Sequence, residues 1–366
     1  MQTKKTRWLV VLPILTMVLL AILPENVDAE TTTILPTIDS PVTIKDWLFV
    51  GPFSSGAREG LVDPLIEHGG IDKIKPVEGL EHHSCMAENG VVKWTKIVDE
   101  DEEDEKITFK ISGVNWEALQ DHHGWSGLFG FGFAYAEYVS DRDVRVLVRA
   151  EEVGGFRING TPYRGNPYGR RQDKNLLVPV ILRKGVNRIL IAIGGMGDEW
   201  DFTFKMLPAE APVMVNTVDT LVPDIIVGEK VDSWAAVPLV NTTEQNVEAL
   251  LRIGDGNLVE VSETKVKMAP RTIQKVPIRF TQIKVVEEKP EEGTIKIPVK
   301  VTALGGEHSG EVDVRIREKG ESFRITFRSA IDESVQKYSV LPPKDYTPGK
   351  SYGLILSLHG ASVDSD

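Results

Sequence analysis

From residue 45 onward apolar and polar residues alternate in steps of two, and this period limits the possible folds more than any other feature of the chain. Val144, Val146 and Val148 alternate with Arg145, Leu147 and Arg149. Ile295, Ile297, Val299 and Val301 alternate with Lys296, Pro298 and Lys300, and Val312, Val314 and Ile316 with Asp313, Arg315 and Arg317. Successive side chains of an extended chain point to opposite sides, so each run predicts a strand with one face on a core. Asn159-Gly160 accepts positive φ at both central positions of a tight turn and predicts a hairpin. The best helical stretch, Arg58 to His68, is short and interrupted by Pro64. The expected fold class is mostly β.

At the front, Lys4, Lys5 and Arg7 precede an apolar run from Trp8 to Leu23, followed by Val27-Asp28-Ala29. This pattern predicts a cleaved export signal over 1–29 and a secreted or periplasmic protein with no stable membrane insertion after cleavage. The run contains Pro13 and is shorter than the roughly 20 residues of a spanning helix. A net charge of −12 argues against nucleic acid and anionic membranes as partners, and a lone Cys85 rules out an internal disulfide. Length predicts two or three domains. Pro208, Pro212 and Pro223 mark a connection, and Glu318-Lys319-Gly320 a second. The expected units are 40–208, 213–318 and 320–366. The acidic run Asp99 to Glu105 is a hydrated loop, with a Ca²⁺ site as the alternative.

Residues 45–207 carry Asp46-Trp47-Leu48-Phe49-Val50-Gly51-Pro52-Phe53, the Val144 to Ala150 strand, Phe156-Arg157-Ile158-Asn159-Gly160, and Leu177 to Ile191 with its Gly185-Val186-Asn187 turn. This set resembles the galactose-binding-like jelly rolls that precede catalytic modules in secreted enzymes. Phe129, Phe131, Phe133 and Tyr135 interleave with Gly130, Gly132, Ala134 and Ala136, so one strand face is aromatic and something must lie close against the other. The aromatic face fits either a stacked sugar or core packing. Trp116, Trp125 and Trp200 have polar neighbours and are the candidates for a carbohydrate platform, although a structural role fits them too. His82-His83 and His122-His123 cannot chelate one ion from an extended chain, and no metal or cofactor is expected.

Residues 214–318 supply about six strands without a catalytic motif, which predicts an immunoglobulin-like sandwich. Asn241-Thr242-Thr243 and Asn159-Gly160-Thr161 match the glycosylation acceptor pattern. In the tail, Phe323 to Ser329 and Val335 to Pro343 predict a hairpin turning at Asp332-Glu333. Tyr352-Gly353-Leu354-Ile355-Leu356-Ser357-Leu358-His359-Gly360 then reads as a strand buried on both faces. That run resembles the start of α/β-hydrolase domains in secreted esterases and prolyl-oligopeptidase-like peptidases. The full expectation is a jelly-roll sandwich, an immunoglobulin-like sandwich, and the first strands of an incomplete α/β-hydrolase domain. The resemblance implies that the Ala361 or Ser362 amide serves an oxyanion hole shaped by His359-Gly360, with nucleophile, acid and base beyond Asp366. Gly124-Trp125-Ser126-Gly127-Leu128 departs from the nucleophile elbow at Leu128, and Ser126 is a loop serine. Two functions follow. One is an accessory region of a secreted serine hydrolase, inactive by itself, whose parent acts on a peptide or ester. The other is a non-catalytic secreted carbohydrate-binding or adhesion protein.

Overall fold

The computed structural model describes residues 34–55, 63–99, 105–166, 176–347 and 349–358. The alternating runs form strands, and the chain is mostly β. In the first sandwich one sheet runs, edge to edge, Val42–Thr43, Glu199–Pro208, Val144–Glu151, Leu177–Leu182, with Ile107–Lys110 also on Glu199–Pro208. The facing sheet runs Thr161–Arg164, Val153–Ile158, Gly185–Met196, Phe129–Ser140, Leu48–Ser54, Thr95–Lys96. Between them lies an aromatic core of Trp47, Phe49, Phe109, Phe156, Trp200, Phe202 and Phe204. Edge-to-face contacts tie it together, with ring centroids 5.4 Å apart for Trp47 and Phe202 and 5.0 Å for Phe49 and Phe109.

The small-residue face of Phe129–Ser140 turns toward this core, as its composition requires. A Cβ on Gly132 would lie 2.5 Å from the Phe49 ring, and one on Gly195 of the neighbouring strand 2.4 Å from Trp200. Glycine therefore makes room for two large rings. Leu48–Ser54 does not end at Gly51-Pro52; it continues past them with a register shift between Val50 and Phe53.

In the second sandwich one sheet holds Val213–Val215, Asp232–Asn241 and Ile273–Thr281. The other runs Ile225–Ile226, Gly306–Arg317, Thr294–Ala303, Val247–Ile253, Ser262–Met268. Its core is aliphatic, built on Val237, Leu251, Ile297, Val299, Val301, Val312 and Val314 around Phe280. The Phe323–Arg328 and Val335–Val340 strands pair as the expected hairpin and dock on this sandwich. Thr326 Oγ1 donates to the Trp234 carbonyl at 2.6 Å. Buried Asp224 accepts from the Arg315 Nε at 2.8 Å and the Arg324 backbone N–H at 2.8 Å.

Val144–Glu151 departs from expectation because it buries both faces. Leu147 packs with Ala209, Ala211, Met214 and Val240 of the following sandwich. Arg145 is buried and donates to the Leu35 and Ala211 carbonyls and the Thr242 hydroxyl, each at 2.7 Å. Desolvation lowers the Arg145 pKa.

The helical expectation is also corrected. Of Arg58 to His68, only Ile66–His68 forms a 3₁₀ turn, and residues 56–62 lie outside the described set. An unexpected α-helix spans Trp116–His123, capped by Asn115, whose Oδ1 accepts the Ala118 N–H at 2.9 Å. The expected Tyr352 to Leu358 strand is not formed. Leu354, Ile355, Leu356 and Leu358 are 92, 92, 78 and 84% exposed, and no α/β-hydrolase sheet or helix exists among the described residues. The export signal and His359, Gly360, Ala361 and Ser362 lie outside those residues.

Candidate functional site

The outer face of the Leu48–Ser54 sheet carries the aromatic side of Phe129–Ser140. Strand register puts Arg157, Leu190, Tyr135 and Leu48 in one row across it, and Gly155, Ala192, Phe133 and Val50 in the next. The segment between Asp63 and Asp99 folds back over part of this face. Leu65, Val92 and Trp94 pack on Val50, Phe53, Phe133 and Leu190 as a second, smaller core. The buried Trp94 indole N–H donates to His82 Nε2 at 3.0 Å, which fixes His82 as a neutral acceptor. Desolvation, then the nearby His68, lowers the His82 pKa. Packing therefore claims Phe133, while Phe131 and Tyr135 are half-buried.

Where the covering segment stops short, a cleft of about 440 Å³ remains. Leu190 and Tyr135 form its floor, Asp72, Lys73 and Lys75 stand on one wall, and Arg157 and Arg188 rise from the sheet. Arg157 pairs with Asp72 at 3.1 Å and Arg188 with Glu137 at 3.7 Å. The Tyr135 hydroxyl donates to Glu137 at 2.5 Å. Desolvation, together with this bond to Glu137, pushes the Tyr135 pKa up to about 12, so the phenol stays a donor at neutral pH.

The Asn159-Gly160 turn forms at the rim with φ of 52° and 84°, as predicted. Asn159 Nδ2 donates to buried Asn187 Oδ1 at 2.8 Å, and the Arg188 N–H donates to Asn159 Oδ1 at 2.9 Å. Asn187 in turn closes its own turn by accepting the Arg183 N–H at 2.9 Å and donating to the Arg183 carbonyl at 2.7 Å. The two turns of the jelly-roll resemblance are thus bonded to each other, and they pin the backbone of Arg188 beside the cleft.

The three expected tryptophans separate. Trp200 is 1% exposed and fills the core, its indole N–H donating to the Gly197 carbonyl at 2.9 Å, so it cannot form a platform. Trp116 is half-buried against the same core. Trp125 is 68% exposed, with exposed Phe129 and Met196 forming a cross-strand pair on the strands that follow. It alone presents its ring to solvent. Ser126 lies in the Gly124–Leu128 3₁₀ turn and donates to the His123 carbonyl at 2.7 Å. His122 and His123 sit on a helix rather than an extended chain, and no metal-competent cluster exists among the described residues. Asn241 is buried, with Nδ2 donating to the Gln245 and Ala269 carbonyls at 2.9 and 2.8 Å, which removes it as a glycosylation acceptor in the folded chain. The ends of the acidic run are tied down: Asp99 holds Lys45 at 2.9 Å and Glu105 holds Arg149 at 2.8 Å. Sequence reasoning missed Asp72, Lys73, Lys75, Arg157 and Arg188 as a group, because they come from separate segments.

No family model matches the chain, and no curated protein matches it in sequence. Solved structures do. One is a putative β-galactosidase from Bacteroides fragilis, 13% identical over 79% of this chain and 43% of its own, with a TM-score of 0.38. Another is an exo-chitosanase from Amycolatopsis orientalis, 9% identical over 82% of this chain and 35% of its own, TM-score 0.37. A third is a GH2 β-galacturonidase from Eisenbergiella tayi, 10% identical over 83% of this chain and 45% of its own, TM-score 0.35. The chain spans less than half the length of each. These are glycoside hydrolases where the tail motif led to serine esterases and peptidases. The serine-hydrolase resemblance, and the peptide or ester substrate it implied, is overturned by the run at 352–358, which is exposed and forms no strand.

Proposed function

We propose that this chain is an exported, non-catalytic carbohydrate-binding region, with residues 40–208 as the binding module and 213–318 as a spacer. The cleft carries this reading. A sugar ring offers an apolar C–H face and a rim of hydroxyls, and the cleft pairs an apolar floor of Leu190 and the Tyr135 ring with polar groups around it. The exposed Trp125 ring is a second surface of the kind that stacks on sugars. Calorimetric titration of the full chain with neutral and acidic oligosaccharides tests the reading. At least one should bind, and Tyr135→Ala should weaken it roughly tenfold through lost ring contact. Loss on Trp125→Ala instead would move the site to the Trp125 surface. Absence of binding by every saccharide at millimolar concentration would sink the proposal.

A further inference from the structure

Four cationic side chains, Lys73, Lys75, Arg157 and Arg188, line the cleft, and two carboxylates answer them, Asp72 among the lining residues and Glu137 beside Tyr135 and Arg188, in a chain whose net charge is −12. Gathering like charges is unfavourable unless an anion joins them, and concave walls focus their field. Both arginines are already paired, Arg157 with Asp72 through Nε and Nη2 and Arg188 with Glu137. Asp72 and Arg188 are largely exposed and Glu137 about half exposed, and such wet pairs contribute little, so an incoming anion can compete for the arginines. The arginines flank the apolar floor: Arg157 lies directly across from Leu190, and Arg188 stands two residues before it on the same strand face. The backbone at Arg188 is held on both sides by the turn, donating to Asn159 Oδ1 and accepting the Asn159 N–H at 2.9 Å. Their positions are thus set before any ligand arrives.

Resting on the carbohydrate reading, we infer that the ligand of this cleft is a saccharide bearing an anionic group, carboxylate or sulfate, its ring over Tyr135 and Leu190 and its charge between the two arginines and the lysine wall. The guanidinium fork suits either group, because both present paired oxygens. A neutral sugar would leave the excess of cations over carboxylates in the cleft unchanged.

The test uses the full chain and four probes: a tri-galacturonate, its methyl ester, a heparin-derived oligosaccharide and poly-glutamate. The methyl ester keeps the ring and removes the charge. The acid should bind roughly tenfold more tightly than the ester, the worth of one charge-assisted contact, and its affinity should fall with added salt. Arg188→Gln, and Lys73→Gln with Lys75→Gln, alter exposed side chains and should close that gap while leaving the melting temperature unchanged. Tighter binding of the heparin fragment supports the inference and selects sulfate. Equal binding of acid and ester overturns the inference and leaves carbohydrate binding intact. Poly-glutamate binding as tight as that of the sugars overturns it as non-specific attraction. Failure of every saccharide, neutral or charged, defeats the function proposed above as well.

Discussion

The two sandwiches solve the same packing problem with different materials. The first is filled by interlocking rings, and to admit them it uses glycine at 132 and 195, a register shift after Val50 and a covering segment on its outer face. The second is filled by aliphatic side chains on regular strands, with Phe280 its one aromatic core residue among those described. The cleft lies on the aromatic sandwich, beside the segment that covers part of its outer face.

The contrast is sharpest for deletions within each core. Trp200→Ala should cost about 3–5 kcal/mol, because its ring fills the space left by Gly130 and Gly195. Ile297→Val in the second core should cost about 0.5–1.5 kcal/mol. Urea denaturation of the two variants checks this, and equal losses would erase the distinction between the cores.

Next in size is the joint between them. Arg145→Met takes the buried donor from the Leu35 carbonyl and the Thr242 hydroxyl and one of two donors from the Ala211 carbonyl, at a cost of about 1–3 kcal/mol. Calorimetry should then show the sandwiches melting at separate temperatures. A single endotherm unchanged from the parent would show that Leu147 and its neighbours carry the joint alone.

Each region also holds a histidine kept neutral by burial. His82 accepts from Trp94, and His308 Nδ1 accepts the Val215 N–H at 3.2 Å; desolvation is the first cause of the lowered pKa in both. A base with a depressed folded pKa binds fewer protons folded than unfolded. Its contribution is therefore full above the unfolded value of 6.5 and is lost as pH falls from there toward the lower folded value. The melting temperature should drop between pH 7.5 and 5.5. His82→Gln, which keeps an acceptor for Trp94 without titrating, should reduce that slope, and an unaltered slope would remove His82 from the explanation.

Legibility differed between regions for physical reasons. The alternation at Ile297, Val299 and Val301 gave its strand directly, because one face meets a core and the other water. The same period at Val144, Val146 and Val148 failed on the outward face, since alternation cannot distinguish solvent from a neighbouring sandwich that buries Arg145 and Leu147. Asn159-Gly160 and Gly185-Val186-Asn187 were visible as turns, but their bond to each other was not, because 28 positions separate Asn159 from Asn187. The Trp116–His123 helix buries no side chain fully and so has no apolar stripe; its only signals were a capping Asn115 and Glu117 in the first turn. The cleft was out of reach because Lys73, Tyr135, Arg157 and Arg188 meet only through sheet register and a folded-back segment.

The smallest expected effect concerns the segment where sequence and structure part most widely. Leu354, Ile355, Leu356 and Leu358 read as a strand covered on both sides, yet all four side chains stand in solvent. Apolar residues on two faces need two covering layers, and alternation-free hydrophobicity records only that need, not whether the layers are at hand. Because no described packing depends on them, replacing Leu354 and Leu358 together by Ser should change stability by no more than about 0.5 kcal/mol. It should also raise solubility by removing apolar surface available for association. A loss of about 2 kcal/mol or more in urea would mean that the segment is packed, and would return it to the buried strand that its sequence describes.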